Sequence, residues 1–341
     1  MGPQFDYDYN YGNSTETPVF VCERDNDNKL GAMLSFLYYF MFVFSLLGNG
    51  LVLVIIHRFE KLTTVTNILL LNLVFSSLIF MSSLPFMAVY MQLSDWIFGD
   101  VMCKLVGSVY YLGFYSSVLF LALLTFDRHL AVVYSLGAPQ VRSRRYAVIS
   151  CAVVWLVSGL ACIKPMILHT AYFHALDNKT LCDEHPGDNI DVKLLRKSGF
   201  YLQLFLFLLF PLAVIIYCYI RITITVLSSK IVSKFKTVRL IFIIVMLFFI
   251  CWTPFNIVLL TETENSSCEE KQKHGYALQV TRTVAYVYFC ISPIFYTFVG
   301  KKFQNYFRQL LVKCFPSLQK HESMSRSSKM NMSTKTTGND V

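Results

Sequence analysis

Apolar residues in this chain are gathered into seven long stretches that are separated by short polar segments. Each stretch is longer than the ~20 residues that an α-helix needs to cross the hydrocarbon core of a membrane. The pattern predicts an all-α membrane protein, built as a bundle of seven transmembrane helices. The predicted spans cover residues 31–56, 65–91, 102–134, 146–169, 198–227, 236–261 and 275–299.

The chain as a whole is predicted to have four regions. Residues 1–30 form an acidic tail, which is expected to be disordered until it is bound. Residues 31–300 form the seven-transmembrane domain. Residues 301–314 have the basic, amphipathic pattern of a helix that lies on the inner membrane surface. Residues 315–341 are rich in Ser and Thr and are expected to form a disordered cytoplasmic tail.

Charged residues predict the orientation of the chain in the membrane. If the polar segments are assigned alternately to the two sides, the side of the N-terminus carries 17 acidic and 11 basic residues, a net charge of −6. The other side carries 4 acidic and 19 basic residues, a net charge of +15. Because cytoplasmic loops carry the excess of Lys and Arg, we expect a multi-pass plasma-membrane protein with an extracellular N-terminus and a cytoplasmic C-terminus.

Glycosylation sequons agree with this orientation, since an acceptor Asn must reach the lumen to be modified. Three acceptors, Asn13, Asn178 and Asn265, lie on the predicted outer side. A fourth match, at Asn331, falls in the cytoplasmic tail and is expected to stay unmodified.

Four cysteines lie on the predicted outer side, where disulfides persist: Cys22, Cys103, Cys182 and Cys268. They allow three pairings. A bond between Cys103 and Cys182 would hold the loop after the fourth span over the bundle, and would leave Cys22 to tie the tail to Cys268. The alternative is free extracellular thiols. On the inner side, Cys314 follows the amphipathic segment and is either a palmitoylation site or an unmodified thiol.

Charged residues are nearly absent from the middle of the spans, and this excludes several function classes. A proton or ion pathway needs carboxylates near the midplane, and a retinal pump needs a lysine deep in the seventh span. An intramembrane protease needs His with Glu, or paired Asp, within the spans. An odd number of spans also disfavours the inverted repeats of a transporter. We therefore expect a protein that is not an enzyme and that uses no cofactor and no metal.

Short motifs occur in order along the spans and resemble those of the rhodopsin-like G-protein-coupled receptors. They are Gly48-Asn49, Asn72-Leu73, Asp127-Arg128-His129, Trp155, Pro211 with Tyr219, Cys251-Trp252-Thr253-Pro254 and Ser292-Pro293-Ile294-Phe295-Tyr296. Any one of them alone has a structural explanation, such as a proline kink. Seven landmarks in register leave little room for coincidence.

The resemblance implies how a signal would cross the membrane. Pro254 bends the sixth span beside Trp252, so a small shift there can swing the inner end of the helix outward. Arg128, held at rest by Asp127, can then turn toward a cytoplasmic partner. By resemblance, that partner is a heterotrimeric G protein of the inhibitory class. Two tyrosines are implied to hold Arg128 in the turned position, Tyr219 and Tyr296.

Further motifs are similar to those of the chemokine receptors over nearly the whole chain. They are Trp96-Ile-Phe98-Gly99 followed by Cys103-Lys104, Ser83-Leu84-Pro85 in the second span, a very short basic third inner loop, and the extra cysteines Cys22 and Cys268. The similarity is greatest to the XC (lymphotactin) type. Cys268-Glu-Glu-Lys-Gln leads to Tyr276-Ala-Leu, and Arg282 stands where most chemokine receptors carry Glu.

Charge indicates a basic protein as the ligand, and the resemblance implies that this protein is a chemokine. The acidic outer face would attract a basic protein. Tyr7, Tyr9 and Tyr11 lie among acidic residues and resemble tyrosine-sulfation sites, the alternative being a merely soluble acidic tail. By analogy, the tail grips the body of the chemokine while the N-terminus of the chemokine enters the bundle.

The pocket that would receive this N-terminus is expected to be lined by aromatic residues and one cation: Tyr38, Tyr90, Tyr110, Phe114, Phe255, Arg282 and Tyr286. Two kinds of partner are possible for the Arg282 guanidinium. Arg282 pairs either with acidic or carbonyl groups of the peptide, or with Glu262 or Glu264 at the rim.

Three positions depart from the family pattern: Ser77 replaces an Asp, Ser292 replaces an Asn, and His129 replaces a Tyr. In the family, that Asp is the anionic ligand of a sodium ion that favours the resting state. Hydroxyl groups alone are weak compensation for a cation in a low dielectric. We therefore expect Ser77 and Ser292 to face each other without a functional sodium site, and His129 to be a tolerated residue at the inner rim.

These departures leave a rival hypothesis, an atypical chemokine receptor that internalises its ligand without activating a G protein. Retention of Asp127, Arg128, Tyr219 and Tyr296 favours signalling. A third hypothesis is an adhesion or co-receptor module in which the switch is vestigial. The Ser and Thr residues of the C-terminal tail suit phosphorylation by receptor kinases and capture by arrestin, or they belong to a plain disordered tail.

Overall fold

The computed structural model of the chain describes residues 29–59, 64–134, 137, 142–174, 178–184, 192–229, 232–261, 267–299 and 301–314. Predicted sites that lie outside the described residues are Tyr7, Tyr9, Tyr11, Asn13, Cys22, Glu262, Glu264, Asn265 and Asn331. The side chains of Cys268, Tyr296 and Cys314 also lie outside the described part, although the helices that carry them are within it.

All seven predicted spans are helical. In order, they are Lys29–Phe59; Val65–Met81 with Leu84–Leu93; Gly99–Val133; Arg144–Ala161 with Ile163–Leu168; Val192–Leu204, Phe205–Leu209 and Phe210–Ser229; Val232–Leu260; and Cys268–Val299. Six of these spans are long and apolar enough to cross a membrane. The seventh has 32 residues and begins with acidic residues in its first turn. A further helix, Lys301–Cys314, occupies the predicted amphipathic segment.

Prolines account for two irregular helices. The second span breaks between Met81 and Leu84, just before Pro85, because proline removes a backbone donor and its ring clashes with the preceding turn. The hydroxyl groups of Ser82 and Ser83 donate to carbonyls of the turn before the break, each at 2.7 Å. The fifth span widens into a π-helical turn, Phe205–Leu209, immediately ahead of Pro211.

A β-hairpin lies between the fourth and fifth spans, and the sequence analysis did not predict it. Strand β1, His169–His174, pairs antiparallel with β2, Lys179–Glu184, and Ala171 stands opposite Cys182. The hairpin is anchored to the start of the third span, where the Asp100 carboxylate accepts from the Thr170 hydroxyl at 2.7 Å and the Ala171 N–H at 3.0 Å.

The spans place large apolar side chains outward, as expected of a surface that faces lipid; examples are Phe36, Phe40, Leu47 and Leu227. Small hydroxyl residues lie inside and donate to carbonyls of their own helix, as Ser77 does to Leu73 at 3.0 Å. These small residues let neighbouring helices approach closely. One such close approach is at Gly113 of the third span, where a Cβ would lie 2.6 Å from the Cα of Phe80. Phe80 is thereby brought into the centre of the bundle.

Candidate functional site

Tyrosines from three spans meet in the outer half of the bundle. The ring of Tyr286 packs edge-on against Tyr38, with centroids 5.2 Å apart, and lies 6.0 Å from Tyr110. The Tyr38 hydroxyl is 3.2 Å from the hydroxyl oxygen of Thr283, within hydrogen-bond distance. Three of the four predicted pocket tyrosines therefore form one cluster.

Arg282 is the cation of this tyrosine cluster. Its guanidinium carbon lies 5.7 Å from the centre of the Phe255 ring, which is a cation–π distance. It stands four residues before Tyr286 on the same helix, Cys268–Val299, and its Nε has no hydrogen-bond acceptor among the described residues. Because a buried donor without an acceptor costs free energy, the arrangement favours a carbonyl or carboxylate supplied from outside the bundle.

Two of the predicted pocket residues lie elsewhere. Phe114 is 1% exposed and stacks on Trp252 with ring centroids 4.0 Å apart, so it belongs to the layer beneath the tyrosine cluster. Tyr90 packs edge-on against Trp96 at 5.5 Å, and its hydroxyl accepts the Cys182 N–H at 3.4 Å. Tyr90 therefore supports the hairpin at the rim.

Phe80 joins the tyrosine cluster to the layer beneath it, and the sequence analysis did not single it out. Its ring stacks on Phe289 with centroids 4.0 Å apart, and meets Tyr286 and Trp252 edge-on at 5.2 and 6.0 Å. The aromatic contacts thus run without a gap from the outer pocket to Trp252. The sequence signals that bear on Phe80 are the break ahead of Pro85 and the small residue Gly113.

Trp252 is fully buried and is linked to the fifth span by two amides. The Asn256 side chain donates to the Trp252 carbonyl at 2.9 Å and accepts from the Gln203 amide at 3.3 Å. Gln203 lies in the turn before the π-helical segment Phe205–Leu209. The proline-containing part of the sixth span is therefore tied to the irregular part of the fifth span.

Asp127 is fully buried at the inner end of the third span and binds two cations. Its carboxylate lies 3.3 Å from the Arg128 guanidinium, the pair that the sequence indicated. It also accepts from Nε and Nη2 of Arg142, at 2.7 and 2.9 Å, and from the Thr66 hydroxyl at 3.1 Å. The bidentate pair with Arg142 is the shorter contact, and the sequence analysis did not name Arg142 as a partner of Asp127.

Known sequences bear out the class of protein that this geometry indicates. A sequence model of the seven-transmembrane receptors of the rhodopsin family matches residues 48–296. Human C-C chemokine receptor type 1 is 36% identical, over 92% of this chain and 89% of that receptor. The chain belongs to the chemokine receptors of the rhodopsin family.

Two more relatives have a similar sequence identity to this receptor. Human C-C chemokine receptor type 4 is 35% identical, over 86% of this chain and 82% of that protein. G-protein coupled receptor E1 of equine herpesvirus 2 is 37% identical, over 84% and 76%. The family confirms the predicted seven-helix bundle, its place as a multi-pass protein of the plasma membrane, and the prediction of a receptor that is not an enzyme.

A disulfide joins Cys103 of this receptor to Cys182, with Cα atoms 5.7 Å apart. It fastens β2 to the outer end of the third span, as expected of that pairing. Asn178 lies at the turn of the same hairpin, where it is exposed and has a positive φ of 50°. Asn tolerates this left-handed conformation better than most residues, so the predicted acceptor stands on an accessible turn.

Aromatic contacts surround two predicted residues at the inner end of the receptor, Tyr219 and His129. Tyr219 packs edge-on against Phe242 of the sixth span at 5.0 Å and borders an apolar cluster that includes Val132 of the third span and Ile222 of its own helix, so its described packing joins the third, fifth and sixth spans. His129 is 3% exposed, and its ring lies 5.7 Å from that of Tyr217. His129 thus stands at the inner end, as expected, and is packed against neighbouring rings.

Ser77 and Ser292, which replace an Asp and an Asn of the family pattern, are both buried. Ser77 donates its hydroxyl to the Leu73 carbonyl of its own helix at 3.0 Å. Nearby polar groups are likewise used within the bundle, since Asn49 donates to Ser45 and Ser45 donates to the Phe289 carbonyl. Within the described ranges, no three His, Cys, Asp or Glu residues are grouped to hold a metal ion.

Proposed function

We propose that this chain is an XC-type chemokine receptor that binds a basic chemokine at its extracellular face and activates an inhibitory-class G protein, driving cell migration and calcium signalling. The proposal is carried by one observation. An unbroken series of aromatic contacts links the Arg282 pocket to Trp252, on the proline-containing sixth span, in a bundle whose inner end keeps Arg128 beside Asp127. A ligand that shifts the pocket can therefore bias the sixth span.

The choice of a basic ligand rests on charge. The predicted outer side has a net charge of −6, and sulfation of Tyr7 and Tyr9 would add to it. We assign the tail of residues 1–30 to the body of the chemokine, and the cluster around Arg282 to its N-terminal segment.

The XC type is proposed from sequence features of the last outer loop and the seventh span. These are the run that begins at Cys268 and the Arg at position 282. Identity to the relatives is nearly the same for several receptor types, at 35 to 37%, so it does not select a ligand class. The chemokine has to be identified by binding.

We also propose the covalent and regional features that the sequence predicts. They comprise an extracellular N-terminus, a bond between Cys22 and Cys268, glycans on Asn13, Asn178 and Asn265, and palmitoylation of Cys314. Residues 301–314 would lie on the inner leaflet. Residues 315–341 would be phosphorylated by receptor kinases and bound by arrestin.

Scavenging without signalling is the second candidate function. Three observations favour it: Ser77 and Ser292, both buried, replace an Asp and an Asn of the family pattern, and His129 is buried next to Arg128. Asp127 keeps two cationic partners, Arg128 and Arg142, and this favours signalling.

A panel of chemokines that includes lymphotactin tests these functions in cells that express the receptor. Inhibition of cyclic AMP and uptake of labelled chemokine are scored together. Signal with uptake supports the proposal, uptake alone supports the scavenger, and the absence of both contradicts each of them. An Arg128→Gln variant is the control, because it should bind and internalise the chemokine while the cyclic AMP response is lost.

A further inference from the structure

Arg282 brings a positive charge into the tyrosine cluster, and no acidic side chain of the described ranges pairs with it. Its Nε is buried and has no hydrogen-bond acceptor there. Its guanidinium carbon lies 5.7 Å from the centre of the Phe255 ring. Three acidic residues at the outer end pair with lysines instead: Asp100 with Lys104, Glu184 with Lys164, and Glu269 with Lys273.

A guanidinium that is drawn out of water needs a counter-charge. The face of the Phe255 ring offers a weak one, because a cation–π contact stabilises a charge by less than the cost of removing that charge from water. Arg282 as a whole is only half-buried, so the cluster is not closed to small solutes. The guanidinium is therefore a partly dehydrated cation that a solute from the outer side can reach.

A second donor of the tyrosine cluster also lacks an acceptor. The Tyr110 hydroxyl is buried and makes no hydrogen bond within the part of the chain that the structure describes. The Tyr38 hydroxyl, by contrast, is used. Because Thr283 donates its own proton to the Gln279 carbonyl at 2.8 Å, Tyr38 is the donor in the 3.2 Å contact between Tyr38 and Thr283.

Tyr286 brings these two donors into one cluster. It follows Arg282 by four residues, which is about one turn of the same helix, and its ring lies 6.0 Å from that of Tyr110. The rings of Tyr110 and Tyr286 meet edge-on, and the edge of an aromatic ring carries partial positive charge. A guanidinium N–H, a phenol O–H and positive ring edges together suit an anion, which only accepts hydrogen bonds, and disfavour a cation.

We propose that the chemokine-free receptor binds a small monovalent anion of the extracellular fluid at Arg282, with the Tyr110 hydroxyl as the second donor. Chloride and bicarbonate are the anions of this class that serve as probes. In the proposed function, carbonyl or acidic groups of the chemokine N-terminal segment bind Arg282, and the part of this inference that concerns the chemokine rests on that function. The segment then displaces the anion, so the anion and the chemokine compete.

The first test needs no chemokine. The solubilised full-length receptor is unfolded by heat in sodium gluconate, whose anion is bulky, and in mixtures where sodium chloride or sodium bicarbonate replaces it at constant pH and ionic strength. An anion that binds the folded state alone stabilises that state. We therefore expect the unfolding temperature to rise by a few degrees and to saturate with chloride, bicarbonate or both, and we expect no such rise in Arg282→Gln.

Tyr110→Phe is the second variant, and it keeps the inference testable if Arg282→Gln fails to fold. It removes a buried hydroxyl that has no partner among the described residues, so the fold should tolerate it, while the affinity for the anion should fall severalfold. Lys273→Gln is the matched control, because Lys273 is also a cation of the seventh span but is exposed and paired with Glu269 at 2.6 Å. It should keep the full response to the anion.

The second test measures the competition. Binding of a labelled chemokine of the panel to cell membranes is compared in the stabilising anion and in gluconate, with sodium and ionic strength held constant. We expect the apparent affinity to be severalfold weaker in the small anion, because the ligand must displace it. In Arg282→Gln the affinity should be lower and equal in the two salts, and Lys273→Gln should keep the difference.

The outcomes separate this inference from the function on which its second part rests. If neither anion raises the unfolding temperature, or if Arg282→Gln responds as the unaltered receptor does, Arg282 holds no anion and the inference is overturned whether or not a chemokine binds. If the anion acts through Arg282 but no chemokine of the panel binds, the proposed function fails and the anion site stands. If a chemokine binds with the same affinity in both salts, the competition is overturned.

Discussion

Asp127 holds groups from three parts of the receptor. Its carboxylate takes two hydrogen bonds from Arg142, one from Thr66 of the second span, and a longer contact from Arg128. Arg142 lies just before the fourth span. A carboxylate so placed restrains the inner end of the bundle, and the shorter distances assign most of that restraint to Arg142 rather than to Arg128.

Substitution of Arg142 by Gln should therefore raise signalling in the absence of ligand. Loss of one partner of a buried ion pair costs about 3–5 kcal/mol when no other partner remains. Because Arg128 remains, we expect a net bias of about 1 kcal/mol, which is a roughly fivefold change in the ratio of active to resting receptor. Inhibition of cyclic AMP without chemokine, normalised to surface expression, measures it.

Arg144→Gln is the control for this variant, since Arg144 carries the same charge nearby and is exposed. Equal basal activity in the two variants, with normal surface expression, would show that Arg142 does not restrain the switch.

Ser77 bears on the response to salt. Its hydroxyl is already used by the Leu73 carbonyl, and no carboxylate stands at this position to compensate a sodium ion. The affinity of a labelled agonist chemokine should therefore be the same in sodium chloride and in an organic-cation salt of equal ionic strength. A clear sodium-dependent loss of affinity that is absent in Ser77→Ala would contradict this prediction, whereas Ser77→Asp is expected to introduce such a loss.

At the scale of elements, the second and third spans are held unusually close. Gly113 removes the side chain that would otherwise meet the backbone of Phe80, and Phe80 in turn fills the centre between Tyr286 and Trp252. The contact between these two helices therefore positions the aromatic link between pocket and switch. The atoms that face Gly113 include the backbone N and Cα of Phe80, which cannot move aside as the tip of a flexible side chain can.

Gly113→Ala should destabilise the receptor for this reason. A Cβ 2.6 Å from the Phe80 Cα forces the two helices apart, and overpacking of this kind costs about 1–3 kcal/mol. We expect a lower unfolding temperature of the solubilised receptor, by roughly 2–4 °C per kcal/mol. Gly159→Ala is the matched control, because nothing lies within 4 Å of its Cβ position. An unfolding temperature that drops no further for Gly113→Ala than for Gly159→Ala would show that the contact is not tight.

The whole molecule is organised by the membrane and by charge. Lipid requires every span to satisfy its own backbone hydrogen bonds, so the seven stretches are helical whatever their side chains do. The excess of Lys and Arg on one side then predicts which end faces the cytoplasm. Orientation follows from this asymmetry and not from any single contact.

An epitope inserted ahead of Phe5 should accordingly be stained by antibody on intact, unpermeabilised cells. An epitope after Val341 should be stained only once the membrane is permeabilised, and it serves as the matched control. Staining of the second epitope but not the first on intact cells would reverse the orientation, and with it the assignment of the acidic face to the ligand.

Much of the candidate site was accessible from sequence because it lies on single helices with fixed periodicity. The resemblance assigned Tyr38, Tyr110, Tyr286 and Arg282 to one pocket, and the rings of the three tyrosines do lie together. Phe114 was placed one layer too high, because depth along a helix does not reveal which neighbour a ring will stack on. The burial of His129 was not predicted either, since it depends on rings from another span, such as Tyr217.

The sequence by itself determined the number of spans, the class of protein and the charged character of each side, because these depend on the length and composition of segments that lipid forces to be helical. Only the tertiary structure decided that Arg142 is the tighter partner of Asp127, that Phe80 bridges the pocket and Trp252, and that Lys164 meets Glu184. Each of these contacts joins residues far apart in the chain. Which such residues meet depends on the packing of helices against one another, and no local pattern of apolar and polar positions encodes it.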